Sequence, residues 1–408
     1  MILVGTLLFP APASAASSSN EHPWWEFQSI DTMKYSRDPS RSITNDPDFD
    51  QIIEKQVRDI AETGATHVGI ATPYDEEFLP VLRRWVTAAR RHDLKVWFRG
   101  NFSGWEGWFG YPRITRAQHL ISTREFLQKN EDLFEEGDLF SACPECENGG
   151  PGDPRLNGDP EGHKKFLIEE YRVTREAFHR MGKNVQSNLH SMNGDVARLI
   201  MDEQTTAALG GIVTIDHYVH TPEKLAADIQ EIAKKSKGKV ILGEYGAPIP
   251  DIHGNQSPEE QAAWIQASLS KLATLPELIG VNYWVSVGGS TRLWNDDGTA
   301  RPAAAELKKY FTPFVISGKI ANSWNTPIKN AKISSTHKTV YTNSQGKFNL
   351  PALTDKATIT VEAPGYAAQT LQLSAVNTSP QIDLLPQNPG LIYRFRVFFQ
   401  KVITFFKG

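Results

Sequence analysis

Between about Glu26 and Phe314 the chain repeats one pattern, a short apolar run followed by a stretch whose apolar residues recur at helical spacing. The runs are FQSIDTM (27–33), THVGIAT (66–72), KVWFRGN (95–101), DLFSACP (138–144), VQSNLHS (185–191), IVTIDHY (212–218), KVILGEY (239–245) and GVNYWVS (280–286). The stretches between them include Phe78, Leu82, Trp85, Val86 and Ala89, then Phe166, Leu167, Tyr171, Phe178 and Met181, then Ala263, Ile265, Leu269 and Leu272. Strands that alternate with amphipathic helices run parallel, because each helix carries the chain back across the sheet before the next strand begins. Eight such units predict an α/β fold, a (β/α)8 TIM barrel over residues 24–314. A doubly wound open sheet is the competing arrangement. No G-x-G-x-x-G follows the first run, so a dinucleotide site has no support.

From Val315 helical periodicity stops. Short β-rich runs are separated by Asn-Thr-Pro, Asn-Ser-Gln-Gly and Ala-Pro-Gly turns, the spacing of a small antiparallel β-sandwich over 315–386. Its succession of G-x-I, N-x-P-I-x-N-A-x-I, T-N-S-Q-G-K-F-x-L and I-T-V-E-A-P-G-Y resembles the carboxypeptidase regulatory-like domain, a transthyretin-like sandwich. The resemblance implies a structural or attachment role beside an enzyme.

The ends differ from both. Residues 2–9 are apolar and are followed by small residues that include Ala13-Ser14-Ala15, which reads as a signal peptide over 1–15 and implies a secreted, cell-surface or periplasmic protein. Residues 387–408 form a basic, aromatic tail with Arg394, Arg396, Lys401 and Lys407 and no acid. Its segment 391–408 has the spacing of a membrane-surface helix, or of a helix packed on the protein. The net charge of −4 argues against nucleic acid as a partner. Two cysteines exclude a disulfide-dense scaffold and a four-cysteine zinc site.

In a (β/α)8 barrel the chemistry lies where strands end at the C-terminal rim. Seven of the eight runs end in polar or aromatic groups there: Asp31, Lys34 and Arg37; Arg99 and Asn101; Glu145 and Glu147; Asn188 and His190; Asp216, His217 and Tyr218; Glu244; and Trp284. Asp31, Lys34 and Arg37 read either as substrate contacts or as a surface ion-pair set. Glu244 closes run seven, and Glu145 and Glu147 follow run four, so carboxylates face one another across the mouth. Glycoside hydrolysis needs two carboxylates flanking the scissile bond.

These residues resemble clan A glycoside hydrolases, the cellulase-like (β/α)8 enzymes. Ile241-Leu242-Gly243-Glu244-Tyr245-Gly246 is similar to the clan's strand-seven nucleophile motif. Asp216-His217-Tyr218 resembles its strand-six region, where a Tyr hydrogen-bonds the nucleophile, and Tyr283-Trp284 resembles the strand-eight Trp beneath the first sugar. Arg99 matches an Arg that contacts the nucleophile. The resemblance implies Glu244 as nucleophile and Glu145 or Glu147 as acid/base in a retaining hydrolase, acting on β-linked carbohydrate. Arg99, Asn101, Trp105, Trp108, Asn188, His190, His217, Tyr218 and Trp284 become candidate sugar contacts. The clan's Asn-Glu pair at strand four is absent, because Cys143-Pro144-Glu145-Cys146-Glu147-Asn148 puts no Asn before either Glu.

The loop after run three holds Phe102, Trp105, Trp108, Phe109 and Tyr111, which suit stacking on sugar faces or packing onto the barrel. Cys143-x-x-Cys146 reads as a local disulfide or two thiols in the acid/base loop rather than a redox catalyst. No strong zinc signature is present, so no metal and no cofactor is assigned to catalysis.

Overall fold

The computed structural model describes residues 22–376 and 379–388. The expected leader (1–15) and the basic segment 391–408 lie outside the described residues.

Eight parallel strands form the first sheet: β1 (Phe27–Asp31), β2 (His67–Ile70), β3 (Lys95–Phe98), β4 (Leu139–Phe140), β5 (Ser191–Asn193), β6 (Ile212–Asp216), β7 (Lys239–Tyr245) and β8 (Leu278–Tyr283). Their order is β4-β3-β2-β1-β8-β7-β6-β5, and a parallel bridge from Leu139 to Gln186 joins the two ends into a barrel. Each strand is followed by a helix: α1 (Phe49–Glu62), α2 (Leu79–Arg91), α3 (Arg116–Lys129), α4 (Pro160–Met181), α5 (Gly194–Ile200), α6 (Pro222–Ser236), α7 (Pro258–Leu272) and α8 (Pro302–Phe311). The helix starts are written locally. Ser257 accepts from the Glu260 N–H while the Glu260 side chain accepts from the Ser257 N–H, a capping box that fixes the first turn of α7.

Run five departs from expectation. Its first residues, around Gln186, bridge β4, whereas its last residue opens β5, which pairs with β6. The polar residues between them face elsewhere: Asn188 donates to the Leu209 carbonyl, and the Leu189 carbonyl accepts from Ser141.

Alternate strand residues face opposite ways. Val96 and Phe98 pack outward into the helix-facing core. Trp97, Leu139, Leu189 and Ile241 form a separate cluster inside the barrel. Trp97 anchors it by donating to Ser141 Oγ at 2.9 Å. Two residues on from Trp97, Arg99 also points inward, its guanidinium 5.1 Å from the Trp97 ring centre. The barrel interior is thus plugged below, and the plug carries a cation at its top.

Only Thr312 and Pro313 separate α8 from β9 (Phe314–Asn322), which opens the second unit. There β10 (Lys332–Ser334), β11 (Thr339–Tyr341), β13 (Lys356–Glu362) and β14 (Gln369–Ser374) form one sheet in the order β11-β10-β13-β14. The other is β12-β9-β15, with β12 (Lys347–Ala352) and β15 (Gln381–Leu384). Ile316, Ile320, Ile333, Phe348, Leu350, Ile359, Val361 and Leu384 are sealed between them. One pair is not antiparallel: β15 runs parallel to β9, because the chain crosses from the other sheet before β15 instead of turning back in a hairpin.

The sandwich sits at the barrel end where strands begin. Lys338 donates to the Trp24 carbonyl and holds its ammonium 4.8 Å from the Trp24 ring centre, and Trp24 precedes β1.

Candidate active site

Arg99 organises the opposite end. Completely buried, it lies 2.9 Å through Nε from Asp31 Oδ2 and donates through Nη2 to Glu244 Oε1 at 2.9 Å. Asp216 Oδ2 is 3.7 Å from the same Nη2. Tyr218 Oη donates to Glu244 Oε2 at 2.9 Å, so both oxygens of that carboxylate are held. Asn282 Nδ2 donates to the Gly243 carbonyl at 2.7 Å and to Asp31 Oδ2 at 3.3 Å, tying β8 to β7 and β1.

Glu244 points into the mouth because β7 bulges. The register against β6 shifts so that Ile215 faces Leu242 while Asp216 faces Glu244, which leaves Gly243 as the extra residue. A bulge re-aims the side chain that follows it. A Cβ at Gly243 would lie 2.4 Å from Asp216 Oδ1, so the close approach requires glycine.

Glu145 arrives from the other side of the mouth. Its backbone is left-handed, φ 48° and ψ 49°, and its N–H donates to the Ser191 carbonyl at 2.8 Å. The Cys143–Cys146 disulfide closes the turn around it. Asn148 Nδ2 donates to Glu145 Oε2 at 3.2 Å. One carboxylate oxygen each from Glu145, Asp216 and Glu244 come within 4.8 Å of one another.

Three carboxylates this close share too little positive charge to ionise together. Burial, and then repulsion by Glu145, raise Glu244, while Arg99 opposes both. Burial and the Glu244 charge raise Asp216 well above the ordinary range. Burial and Glu147 raise Glu145 too, again against Arg99. Such a set titrates as a unit. Glu244 receives two donors, from Arg99 and Tyr218, so it is the member best suited to hold the negative charge. Glu145 receives one neutral amide donor and is better suited to hold a proton.

Glu147 stands apart. It is buried, its Oε1 accepts from the Asn193 N–H at 2.6 Å, and burial pushes it up to about 7.

The aromatic candidates divide. Trp284 is half-buried, edge-on to Tyr218 with ring centres 6.1 Å apart, and the Lys34 ammonium lies 5.7 Å from its ring centre. Trp108 is half-buried beneath the Arg37 guanidinium at 4.7 Å. Lys34 and Arg37 both pair with Asp38. Trp105 is instead core. It is 1% exposed, stacks on Phe166 at 5.2 Å and donates to the Cys146 carbonyl, while Gly149 and Gly150 cross it too closely to carry a Cβ.

Four other candidates are not brought to the carboxylates. Asn101 caps the Phe102 N–H and meets His119. Asn188 serves the Leu209 carbonyl. His190 lies beside Glu170 on α4. His217 is turned outward to Asp228, Nε2 to Oδ2 2.9 Å. Asp31 and Asp216, read in the sequence as strand-end groups, belong to the site, and so does Asn282, which no motif singled out. The signal available for Asp31 and Asp216 was their place as the last residues of strands.

No curated protein matches the chain by sequence. Residues 315–384 match the model of the carboxypeptidase regulatory-like domain. Among solved structures, GH5_18 from Bifidobacterium longum subsp. longum ATCC 55813 is similar with a TM-score of 0.53 and 16% identity, over 70% of this chain and 78% of that one. GH5_18 from Streptomyces cattleya in complex with GlcNAc gives 0.52 and 16%, over 70% and 79%. A variant of the Bifidobacterium longum protein in complex with Manb1-4GlcNAc gives 0.52 and 14%, over 70% and 78%. The barrel of this chain thus has the fold of the GH5_18 glycoside hydrolases, and it is joined to a segment that matches the carboxypeptidase regulatory-like domain.

Proposed function

We propose that the protein is a retaining glycoside hydrolase acting on a β-linked oligosaccharide or polysaccharide. The observation that carries this is the approach of Glu145 and Glu244 across the mouth, with carboxylate oxygens within 4.8 Å. Retaining enzymes hold their two carboxyl groups about 5–5.5 Å apart, whereas inverting enzymes leave room for a water at about 6.5–9.5 Å. The nearest oxygens of a pair at the shorter spacing meet at such a distance.

In this reading Glu244 attacks the anomeric carbon while Glu145 protonates the departing glycosidic oxygen. The glycosyl ester is then hydrolysed by water, whose proton returns to Glu145. Arg99 and Tyr218 hold Glu244 as the attacking anion. The choice of Glu145 over Glu147 rests on direction, because Glu147 is turned to Asn193 and Glu145 to Glu244. Trp284 and Trp108 offer ring faces for sugar, with Lys34 and Arg37 above them. The Manb1-4GlcNAc and GlcNAc held by the similar structures favour a β-linked hexose substrate.

Glu244→Gln should abolish turnover across a panel of aryl β-glycosides and oligosaccharides without changing the melting temperature. Glu145→Ala should slow poor leaving groups by about 10²–10⁴-fold. Product read by NMR should first appear as the β-anomer. Full activity in Glu244→Gln, or first appearance of the α-anomer, would overturn the mechanism.

A further inference from the structure

Around the turn that carries Glu145 lies a second group of reactive side chains that the proposed hydrolysis does not use. Cys143, Cys146 and Glu170 are all buried, and their sulfur and carboxylate atoms come within 4.8 Å of one another. His190 Nδ1 is 3.6 Å from Glu170 Oε2. Neither His190 nitrogen has a hydrogen-bond partner, although the residue is 2% exposed. His119 Nδ1 lies 2.7 Å from Glu170 Oε1, and Asn101 Oδ1 meets His119 Nε2 at 2.9 Å.

A wholly buried carboxylate beside an imidazole with two unsatisfied nitrogens is costly unless something meets them. The set here is two sulfurs at C-x-x-C spacing and one carboxylate oxygen, three donors of the types zinc takes, which leave the fourth corner of a tetrahedron open. With zinc–ligand bonds of about 2.0–2.3 Å, neighbouring tetrahedral ligands stand about 3.3–3.8 Å apart. His119, held by Asn101, would orient Glu170 from behind, as a partner of a liganding group does.

We propose that Cys143, Cys146 and Glu170 form a binding site for one zinc-class divalent cation whenever the two sulfurs are thiols. The loop carrying Glu145 then has two alternative locks, a disulfide or a metal. Opening the disulfide takes two electrons and two protons from a dithiol or phosphine reductant and yields two thiols. Binding the cation releases those two protons as the thiolates ligate it. This site stands independently of the hydrolase reading.

The test uses the full chain, produced in a reducing compartment and kept in a phosphine reductant. Elemental analysis should give one zinc per chain. Cobalt(II) replacing it should show a thiolate-to-cobalt charge-transfer band and the intense visible bands of a tetrahedral site. Cys143→Ser should remove the charge-transfer band or weaken it. Glu170→Gln, which keeps both thiols, should weaken cobalt affinity, and His119→Ala should weaken it by about 10–100-fold. Two free thiols with no metal at one equivalent would overturn the proposal. So would a cobalt spectrum without the thiolate band, affinity unchanged in Glu170→Gln, or sulfurs that stay disulfide-bonded under the reductant.

Discussion

Gly243 is the smallest residue at the site and the one with least freedom to change. Its missing side chain is what lets Asp216 sit against β7, and its bulge aims Glu244 at the mouth. Gly243→Ala should lower kcat at least tenfold on a good aryl glycoside, a loss larger than any change in KM. Glu147 offers a different measurement. Burial pushes it up to about 7 from an ordinary 4.5, so the folded state favours its protonated form. That contribution to stability is fully present below about pH 4.5 and is lost as pH rises through about 7. Glu147→Gln should therefore leave stability nearly unchanged at pH 4 and raise it at pH 8, by at most roughly 3 kcal/mol. Denaturant melts of both forms at the two values check the sign. These residues also show what the sequence conveyed. Glu244 was legible as a candidate because it ends an apolar run, but its direction was not, because the bulge at Gly243 breaks the alternation along β7. The choice between Glu145 and Glu147 was not legible either, because the left-handed backbone at Glu145 breaks such alternation. Nor was the partnership of Arg99 with Asp31, which depends on how β1, β2 and β3 lie side by side once the barrel is closed.

At the scale of single elements, the loop after β3, which suited either sugar stacking or packing onto the barrel, divides between a core residue and a half-buried one. Trp105 belongs to the core, wedged between Phe166 and the Gly149-Gly150 segment, whereas Trp108 is only half-buried, with the Arg37 guanidinium over its ring. Trp105→Ala should cost about 3–5 kcal/mol of stability, as for other large buried aromatics. Trp108→Ala should leave the melting temperature within a degree or two and raise KM for oligosaccharides. The opposite pattern would reverse their assignment. Composition could not separate them, since burial is decided by a neighbouring loop about forty residues on. Seven of the eight strand runs keep their place in the barrel. The fifth splits because Ser187 and Asn188 bond outside the sheet, to Thr174 and the Leu209 carbonyl, a demand that apolar periodicity does not register.

Across the whole molecule, the two units meet at the barrel end opposite the carboxylates. Lys338 over Trp24 and the edge of His337 on the same ring form part of that seam. A double-mutant cycle on Trp24 and Lys338 should give a coupling of about 0.5–1 kcal/mol in stability with turnover unchanged. Changed kcat in Lys338→Ala would place the sandwich closer to the chemistry than this geometry does. Only Thr312 and Pro313 link α8 to β9, and Trp25 stacks on Tyr310 just before that link. Two residues give no length for a swinging arm. The sandwich is therefore a fixed mount rather than a tether. Anything that grips its far end holds the barrel with the mouth turned outward, because the two units have no joint on which to pivot.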